Sequence, residues 1–433
     1  MSTSGCNRLR VLEVEWRPVS RQPCAPLAAR ILARLFAVKM TAMLCCLAAV
    51  AALRRRRRHP RGFPGPSVKS FINVLLLVVP LALASERFGS VVSFVLCLLA
   101  LVPLANLLSD ATEMLAKQTN QTIGGLANAT FGNAVEFIIA IVSLTSSSSS
   151  LAVGQLALLG SVLTNILLVL GASLIAGGLK FPVTTLSSSM SVSYASLLQV
   201  YAITLLIPAI WLSSTSRNAT VDPSSLDSGV LSISRRISVF LLGAYVMQLL
   251  HQIRSQSSVQ AHGNSDSDIE RQIEPSVIRR RRQLLIASSL LLAVTTALVS
   301  GVCSVLIPSI EGFAQRSGLN ERFVSAIILP IGSNIAAFYS AVSAAVKGMP
   351  LLSLAISVGS AVQIAAGITP ALVLVAWAID RPLSLFVGMF EACTVMICVL
   401  FVTLSIQDGQ STWLRGGLLV VVYFCVVSGF GHL

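Results

Sequence analysis

The segment Gly124–Gly178 reads GGLANATFGNAVEFIIAIVSLTSSSSSLAVGQLALLGSVLTNILLVLGASLIAGG and is almost wholly apolar. It is long enough for two helices that cross a lipid bilayer. One carboxylate, Glu136, stands in it, within the phrase GNAVE at residues 132–136. Because an ionisable side chain is costly inside a membrane, Glu136 is a candidate functional residue. The small residues just before it would let another helix pack closely.

The composition of the whole chain is that of a membrane protein. Of its 433 residues, 55% are hydrophobic and only 11% are charged, whereas soluble domains carry about 25% charged residues. Many windows of about 20 residues contain almost no charge, as helices that cross a membrane require. The apolar runs are continuous rather than alternating, which disfavours a β-barrel. We therefore predict an all-α, polytopic protein that lies in the lipid bilayer.

Hydropathy predicts about eleven transmembrane helices, grouped in two halves. The first half covers residues 69–252, and the second half covers residues 284–433 with the last five helices. The predicted helices span residues 70–85, 89–109, 123–145, 152–177, 188–212, 236–252, 284–307, 322–346, 351–378, 384–404 and 412–430.

Residues 1–68 form a basic N-terminal extension that contains only two acids, Glu13 and Glu15. Within it, residues 31–53 are apolar and long enough to span a membrane. Arg-rich, acid-poor segments are also typical of organelle-targeting sequences. An extra helix and a targeting segment therefore both remain open for this region.

A polar and basic linker is predicted at residues 253–283, between the two halves, and we expect it to be flexible. It ends in the run Arg279–Arg282, and a second basic run is Arg54–Arg58. An even number of predicted helices separates the two runs, so both are expected on the cytosolic face. Anionic lipid is a secondary partner for such runs. Neither run is interleaved with aromatic residues, so we expect no nucleic-acid partner.

The chain has no pattern typical of an enzyme site. Its nine cysteines include no CxxC pair, and most lie in apolar runs. We interpret them as small buried hydrophobic residues rather than metal ligands. No nucleophile–base pair, phosphate-binding loop or metal-ligand cluster stands out. We therefore expect neither enzyme activity nor a bound cofactor.

The second half repeats the order of motifs found in the first half. The phrase SNIAA at residues 333–337 corresponds to GNAVE at residues 132–136, and GSAV at residues 359–362 corresponds to GSVL at residues 160–163. An odd number of predicted helices lies between the paired elements, so the copies should run in opposite directions. Inverted repeats are the usual plan of secondary transporters, with the binding site at the midplane between the repeats. The alternative is that Gly, Ser and Ala recur in any packed membrane bundle.

These phrases resemble the calcium/proton exchanger family of vacuolar cation antiporters, within the cation/calcium exchanger superfamily. The likeness covers nearly all of residues 70–430, and its most distinctive phrase is NATFGNAVE at residues 128–136. The phrases that carry it are Ala111–Glu113, Gly124–Glu136, Leu159–Gly171, Ile328–Ile331, Gly359–Ile364 and Gln407–Gly409.

The resemblance implies a midplane site in which one glutamate from each repeat binds calcium and protons in alternation. Carried over residue by residue, it assigns the cation- and proton-binding site to Glu136, Asn133, Asn334, Ser161, Ser360 and Gln363.

The second repeat departs from the family pattern. The family's second glutamate falls on Ala337 and its histidine on Phe338. Calcium prefers six to eight oxygen ligands, several of them anionic, so one glutamate makes a thin calcium site. Four other acids are candidates to compensate, although an acid near a helix end can simply be solvated: Asp110, Glu113, Glu311 and Glu391.

The leading hypothesis is a cation/proton antiporter that moves calcium into an acidic organelle such as the vacuole by alternating access. One alternative is a transport-impaired or regulatory paralogue. Another is an exchanger with altered selectivity, for manganese or a monovalent cation. A homo-oligomer is compatible with the sequence, which does not fix the number of subunits.

Overall fold

The computed structural model describes residues 75–119, 131–146, 150–181, 184–185, 188–216, 223–261 and 275–432. Within these ranges the chain is almost entirely helical, as its continuous apolar runs predict. Two strands of two residues each, β1 (Thr184–Thr185) and β2 (Gln410–Ser411), pair antiparallel. We label the helices α1 Val78–Leu83, α2 Ser90–Gln118, α3 Ala134–Thr145, α4 Ser150–Gly178, α5 Ser188–Thr215, α6 Pro223–Ala261, α7 Pro275–Ser317, α8 Glu321–Ser333, α9 Ile335–Val346, α10 Pro350–Ala378, α11 Met389–Ile406 and α12 Trp413–Gly431.

Eight helices in the described ranges are long and apolar enough to cross a membrane, or nine if the bent pair α8 and α9 counts as one span. This finding confirms the all-α, polytopic class, but it does not confirm the predicted count of eleven. At the predicted helix 70–85, the described residues form a 3₁₀ turn, Leu75–Leu77, and the six-residue α1. The predicted helix 123–145 is described only from residue 131 and contributes the twelve-residue α3. The N-terminal extension 1–68, with its segment 31–53, lies outside the described residues.

The helices on both sides of the predicted linker are longer than their apolar runs. Helix α6 continues to Ala261 and α7 begins at Pro275. Residues 253–261 and 275–283 of the predicted linker are therefore helical, and residues 262–274 lie outside the described residues. Gln and Arg are good helix formers, so a helix that leaves the apolar layer can continue through them.

Contacts between helix ends define two faces of the bundle. The linker face is the one at which α6 ends and α7 begins. There, Gln252 near the end of α6 donates a hydrogen bond of 3.2 Å to Tyr194 near the start of α5. β1 precedes α5 and pairs with β2, and Lys180, just after α4, contacts the end of α9.

At the opposite face, the start of α2 meets the end of α7. Phe94 of α2 stacks on Phe313 of α7, with ring centroids 4.1 Å apart. Arg381, between α10 and α11, donates a hydrogen bond of 3.1 Å to the carbonyl of Ser146 at the end of α3. Helix α3 thus ends at the opposite face, whereas α9 ends at the linker face. The two repeat motifs therefore run in opposite directions, as an inverted repeat predicts.

Helix α4 lies at the centre of the bundle. Of its apolar window, 94% is buried within the protein, compared with 28% for α6. A glycine allows α4 to approach α8 closely, since a Cβ at Gly160 would lie 1.9 Å from the carbonyl oxygen of Ala326. Because α4 belongs to the first repeat and α8 to the second, this contact brings the motifs of both repeats together.

Candidate functional site

The two repeat asparagines lie at breaks between helices. Asn133 immediately precedes α3, and Asn334 joins α8 to α9, whose directions differ by 52°. Glu136 lies in the first turn of α3. Helix ends leave backbone groups without intrahelical partners, so these breaks place polar groups in the middle of an otherwise apolar bundle.

Glu136 is buried at the contact between the repeats, with 6% of its surface exposed. The Ser333 hydroxyl lines the same cavity as its carboxylate. Side chains from α3, α4 and α8 line a narrow cavity around it, with Ser161 and Ser333 as the polar members besides Glu136. Among the described residues, this cavity is too narrow for a water molecule.

Hydrogen bonds connect each repeat asparagine to the long helix of the other repeat. Asn133 Nδ2 donates to Gln363 Oε1 on α10 at 2.6 Å. Asn334 Nδ2 donates to Ser161 Oγ on α4 at 3.1 Å. The structure therefore brings four of the five predicted partners of Glu136 to the contact between the repeats, where Ser161 lines the Glu136 cavity directly.

Asn165 is a further polar residue of the site that the sequence comparison did not single out. Its Nδ2 donates to Asn334 Oδ1 at 2.9 Å, and its own Oδ1 is buried without a hydrogen-bond partner. A buried oxygen that lacks a donor is costly and marks a place where a ligand can bind. The corresponding position of the second repeat is Ile364, so matching the two repeats gave no signal for Asn165.

The long helices are irregular where they pass the site. Wider π-helical turns occur inside α4, α8 and α10, and such turns are frequent at functional sites. Ser360, the fifth predicted partner, lies between two of them, is half-buried, and makes no side-chain hydrogen bond to the described polar network. The π-helical segments are Thr164–Val169, Val324–Ile328, Ala355–Gly359 and Gln363–Ile368.

The position that would carry a second glutamate contributes no charge to the site. Ala337 lies in the first turn of α9, and the neighbouring Phe338 packs into the hydrophobic core. Within the described ranges, no three His, Cys, Asp or Glu residues are grouped so that they could hold a metal ion. Any cation at this site would therefore meet one carboxylate, Glu136, and otherwise neutral oxygens.

A family comparison agrees with this arrangement. The sequence profile described as "Sodium/calcium exchanger protein" matches residues 89–254 and 287–430, which together make up more than half of the chain. The chain belongs to the sodium/calcium exchanger protein family.

Relatives of this exchanger include proteins described as vacuolar transporters. It is 33% identical over 365 residues to the "Vacuolar calcium ion transporter" of Schizosaccharomyces pombe, covering 84% of this chain and 85% of the relative. It is 36% identical over 370 residues to "Vacuolar cation/proton exchanger 1a" of Oryza sativa subsp. japonica, covering 82% and 79%. The crystal structure of the selenium-substituted Ca²⁺/H⁺ antiporter protein YfkE is similar with a TM-score of 0.64 and 25% identity, covering 83% of this chain and 100% of that one. The resemblance to calcium/proton exchangers is thereby confirmed.

Two of the four accessory acids of this exchanger lie near the linker face. Asp110 and Glu113 are on the last turns of α2 and do not line the Glu136 cavity. Asn106 Nδ2 approaches Asp110 Oδ2 at 3.5 Å, which is the weak limit of a hydrogen bond. The resemblance implies a role for Glu113 at the cytosolic entrance, and this role stays a prediction.

The other two accessory acids lie near the opposite face. Glu311 is exposed on α7 and accepts a hydrogen bond of 3.2 Å from Gln315. Glu391 falls within the predicted helix 384–404 and has no cationic neighbour in the sequence, but the structure places it in the first turn of α11, where Arg322 of α8 lies 3.1 Å away. Since Arg322 comes from a distant part of the chain, no local sequence pattern predicts this ion pair. Neither acid lines the Glu136 cavity.

Proposed function

We propose that this protein is a cation/proton antiporter that moves calcium into an acidic organelle, such as a vacuole, in exchange for protons. The observation that carries the proposal is a single buried carboxylate, Glu136, at the contact between two inverted repeats. The choice of ions is supported by the relatives, described as a vacuolar calcium ion transporter and a vacuolar cation/proton exchanger. Such transport is not an enzyme reaction and needs no bound cofactor.

Burial allows Glu136 to couple the two ions. A charged and unpaired carboxylate in a protein interior costs on the order of several kcal/mol. Glu136 therefore holds either a proton or a cation, and the departure of one is compensated by the arrival of the other. The Ser333 hydroxyl, which lines the same cavity, can donate to the carboxylate or accept from the protonated acid. It can thus stabilise both states.

Neutral oxygens supplement the one carboxylate when the cation binds. Calcium takes six to eight oxygen ligands, and the hydroxyls of Ser161 and Ser333 line the Glu136 cavity. Asn165 Oδ1 has no hydrogen-bond partner, and Asn334 Oδ1 accepts one hydrogen bond from the amide of Asn165, so each oxygen keeps a lone pair that can bind a cation. Because Asn165 and Asn334 belong to different repeats, a cation held by both would contact both repeats, which links occupancy of the site to movement of one repeat against the other. The oxygens of Asn133, Ser161 and Gln363 complete the set.

Ala337 lowers the charge of the site in comparison with the family pattern. Glu136 neutralises only one of the two charges of calcium, so we expect weaker calcium binding than at a site with two glutamates. The relatives favour calcium transport over an inactive paralogue. An experiment must decide whether the transported cation is calcium or instead manganese, sodium or potassium.

The linker face is assigned to the cytosol and the opposite face to the lumen of the organelle. The support is the basic run Arg279–Arg282 at the start of α7, because such runs beside membrane helices stay in the cytosol. Protons leaving an acidic lumen would then drive calcium from the cytosol into it. No nucleic acid takes part, and the number of subunits is left open.

The test is cation uptake into sealed, acid-loaded vesicles that contain the purified full-length chain, with and without a protonophore. Calcium, manganese, sodium and potassium are offered in turn. Glu136→Gln is compared with Glu311→Gln, a matched control whose acid is exposed and outside the cavity. We expect calcium uptake that requires the proton gradient and Glu136 but not Glu311. Absence of proton-coupled uptake of all four cations would refute the proposal.

A further inference from the structure

Two basic residues occupy equivalent positions in the inverted repeats. Lys180 follows the end of α4, and Arg381 follows the end of α10. Lys180 comes after Glu136 by the same number of residues as Arg381 comes after Ala337. In an inverted repeat, equivalent positions at helix ends lie at opposite faces of the bundle, and these two residues do.

Each of these side chains binds the end of the short helix that belongs to the other repeat. Lys180 Nζ donates to the carbonyl of Val346, the last residue of α9, at 2.7 Å. Arg381 Nη2 donates to the carbonyl of Ser146, just after α3, at 3.1 Å. The last carbonyls of a helix lack intrahelical partners and carry partial negative charge. A cation at these positions therefore holds the helix end in place.

A second contact accompanies the lysine at the linker face. Gly348, in the turn after α9, has a φ of +77°, and a Cβ there would lie 3.2 Å from the ring of Phe181. The segment Lys180–Phe181 thus rests on the segment Val346–Gly348, and we call this contact the linker-face clamp. Because a positive φ and a close ring both disfavour a side chain, Gly348 is required for this fit.

A second contact also accompanies the arginine at the opposite face. Gln155 of α4 donates from Nε2 to the carbonyl of Ser384, three residues after Arg381. Arg381 and Ser384 thus hold Ser146 and Gln155, and we call this contact the opposite-face clamp. The end of α3 and the start of α4 are therefore tied to the segment that connects α10 with α11.

The two clamps stand at the outer ends of the two short helices that begin at the site. Helix α9 runs from Asn334 at the site to the linker-face clamp, and α3 runs from Asn133 to the opposite-face clamp. Separation of α9 from α4 would break the linker-face clamp, and separation of α3 from the segment after α10 would break the opposite-face clamp. Both clamps are formed in this structure, in which the cavity around Glu136 is too narrow for a water molecule.

We propose that Lys180 and Arg381 are positioning residues that keep the site shut at the two faces, by holding α9 against α4 and α3 against the segment after α10. Release of the linker-face clamp opens the site to the linker face, and release of the opposite-face clamp opens it to the other. The flux measurement that tests this proposal rests on the proposed transport function, but it does not depend on which cation is carried.

The test is the cation concentration for half-maximal flux, measured separately from each face in vesicles of known orientation. Lys180→Ala favours the state that is open to the linker face. It should lower the cation concentration for half-maximal flux at that face and raise it at the other. We expect changes of about two- to five-fold, the size of the effect of one exposed charge at a helix C-terminus. Arg381→Ala should shift both values in the reverse directions.

Matched variants separate clamping from a general effect of charge or stability. Lys180→Arg and Arg381→Lys keep the cation and should restore the original values. Arg254→Ala and Arg87→Ala remove exposed charges from the same two faces, outside both clamps, and should change neither value. Gly348→Ala loosens the linker-face clamp without removing its charge and should act like Lys180→Ala. The inference is overturned if the alanine variants shift both faces in the same direction, or reduce only the maximal rate.

Hydrogen exchange of the backbone amides tests the clamps without any transport. Amides 343–349 should exchange faster in Lys180→Ala only, and amides 142–146 faster in Arg381→Ala only. If the unaltered chain shows no proton-coupled flux, the proposed function fails, while this measurement still decides the clamps. Unchanged exchange at both helix ends would overturn the inference by itself.

Discussion

Gly160→Ala and Gly359→Ala form a matched pair, because the two glycines occupy equivalent positions in the two repeats. A Cβ at Gly160 would lie 1.9 Å from the carbonyl oxygen of Ala326 and 2.7 Å from Cγ of Pro330. Ordinary contacts begin at 3.4 Å, so α4 and α8 would have to separate by about 1.5 Å at this point. A Cβ at Gly359 meets nothing closer than the hydroxyl of Tyr194, at 3.4 Å.

The free-energy difference between the two variants follows from these distances. Both replacements gain about 0.5–1 kcal/mol from the better helix propensity of alanine, and this gain cancels in the comparison. What remains is the overpacking at residue 160, which typically costs about 1–3 kcal/mol. Gly359→Ala should be at least as stable as the unaltered chain, and Gly160→Ala should be less stable than Gly359→Ala by that amount.

The assay is thermal unfolding of both variants purified in the same detergent, followed by transport in vesicles. Gly160→Ala should melt at a lower temperature than Gly359→Ala. It should also transport more slowly, because Pro330 lines the Glu136 cavity and has to move. Equal melting temperatures and equal transport rates would refute the close packing of α4 on α8 as the contact that assembles the site.

Three further predictions concern charge. Ala337→Glu should lower the calcium concentration for half-maximal uptake by about tenfold relative to Ala337→Gln, because a second carboxylate adds anionic oxygen to the site. Arg322→Gln leaves the Glu391 carboxylate buried without its ion pair and should reduce the free energy of unfolding by about 1–3 kcal/mol. This is less than for a fully buried pair, because Arg322 is half exposed. The double variant with Glu391→Gln should recover most of this loss in thermal melts. The hydrogen bond from Arg415 lowers the pKa of Asp408 to about 2, so its stabilising contribution is complete above about pH 4 and lost as the pH falls through about 2. Asp408→Asn should therefore melt below the unaltered chain above pH 4, with a difference that shrinks towards pH 2.

Most of the fold could be predicted from the sequence, because the length and apolarity of a segment predict a membrane helix. The structure contains helices at four of the predicted spans, 89–109, 152–177, 351–378 and 412–430, and it also has the inverted order of the repeats. Hydropathy gave no information on helices that continue into water, such as α6 and α7 beyond the apolar layer. It also treated residues 322–346 as one straight span, although Asn334 bends it by 52°.

Only those residues of the candidate site that stand in local sequence motifs could be predicted. Glu136 and the two asparagines stand in repeated phrases, and the structure brings them together with Ser161 and Gln363. Asn165 and the Arg322–Glu391 pair could not be found in this way. The first has no counterpart in the other repeat, and the second joins residues that are far apart in the sequence. Contacts of this kind depend on tertiary packing and leave no periodic signal. The transport roles of the site residues stay predictions.

The claim that Glu136 exchanges a cation for a proton is decided by one comparison in acid-loaded vesicles. Calcium uptake and proton release are recorded together for the unaltered chain, for Glu136→Gln and for Glu311→Gln. We expect both fluxes in the unaltered chain and in Glu311→Gln, and loss of both in Glu136→Gln. Proton-coupled calcium uptake that persists in a folded Glu136→Gln protein would contradict the account.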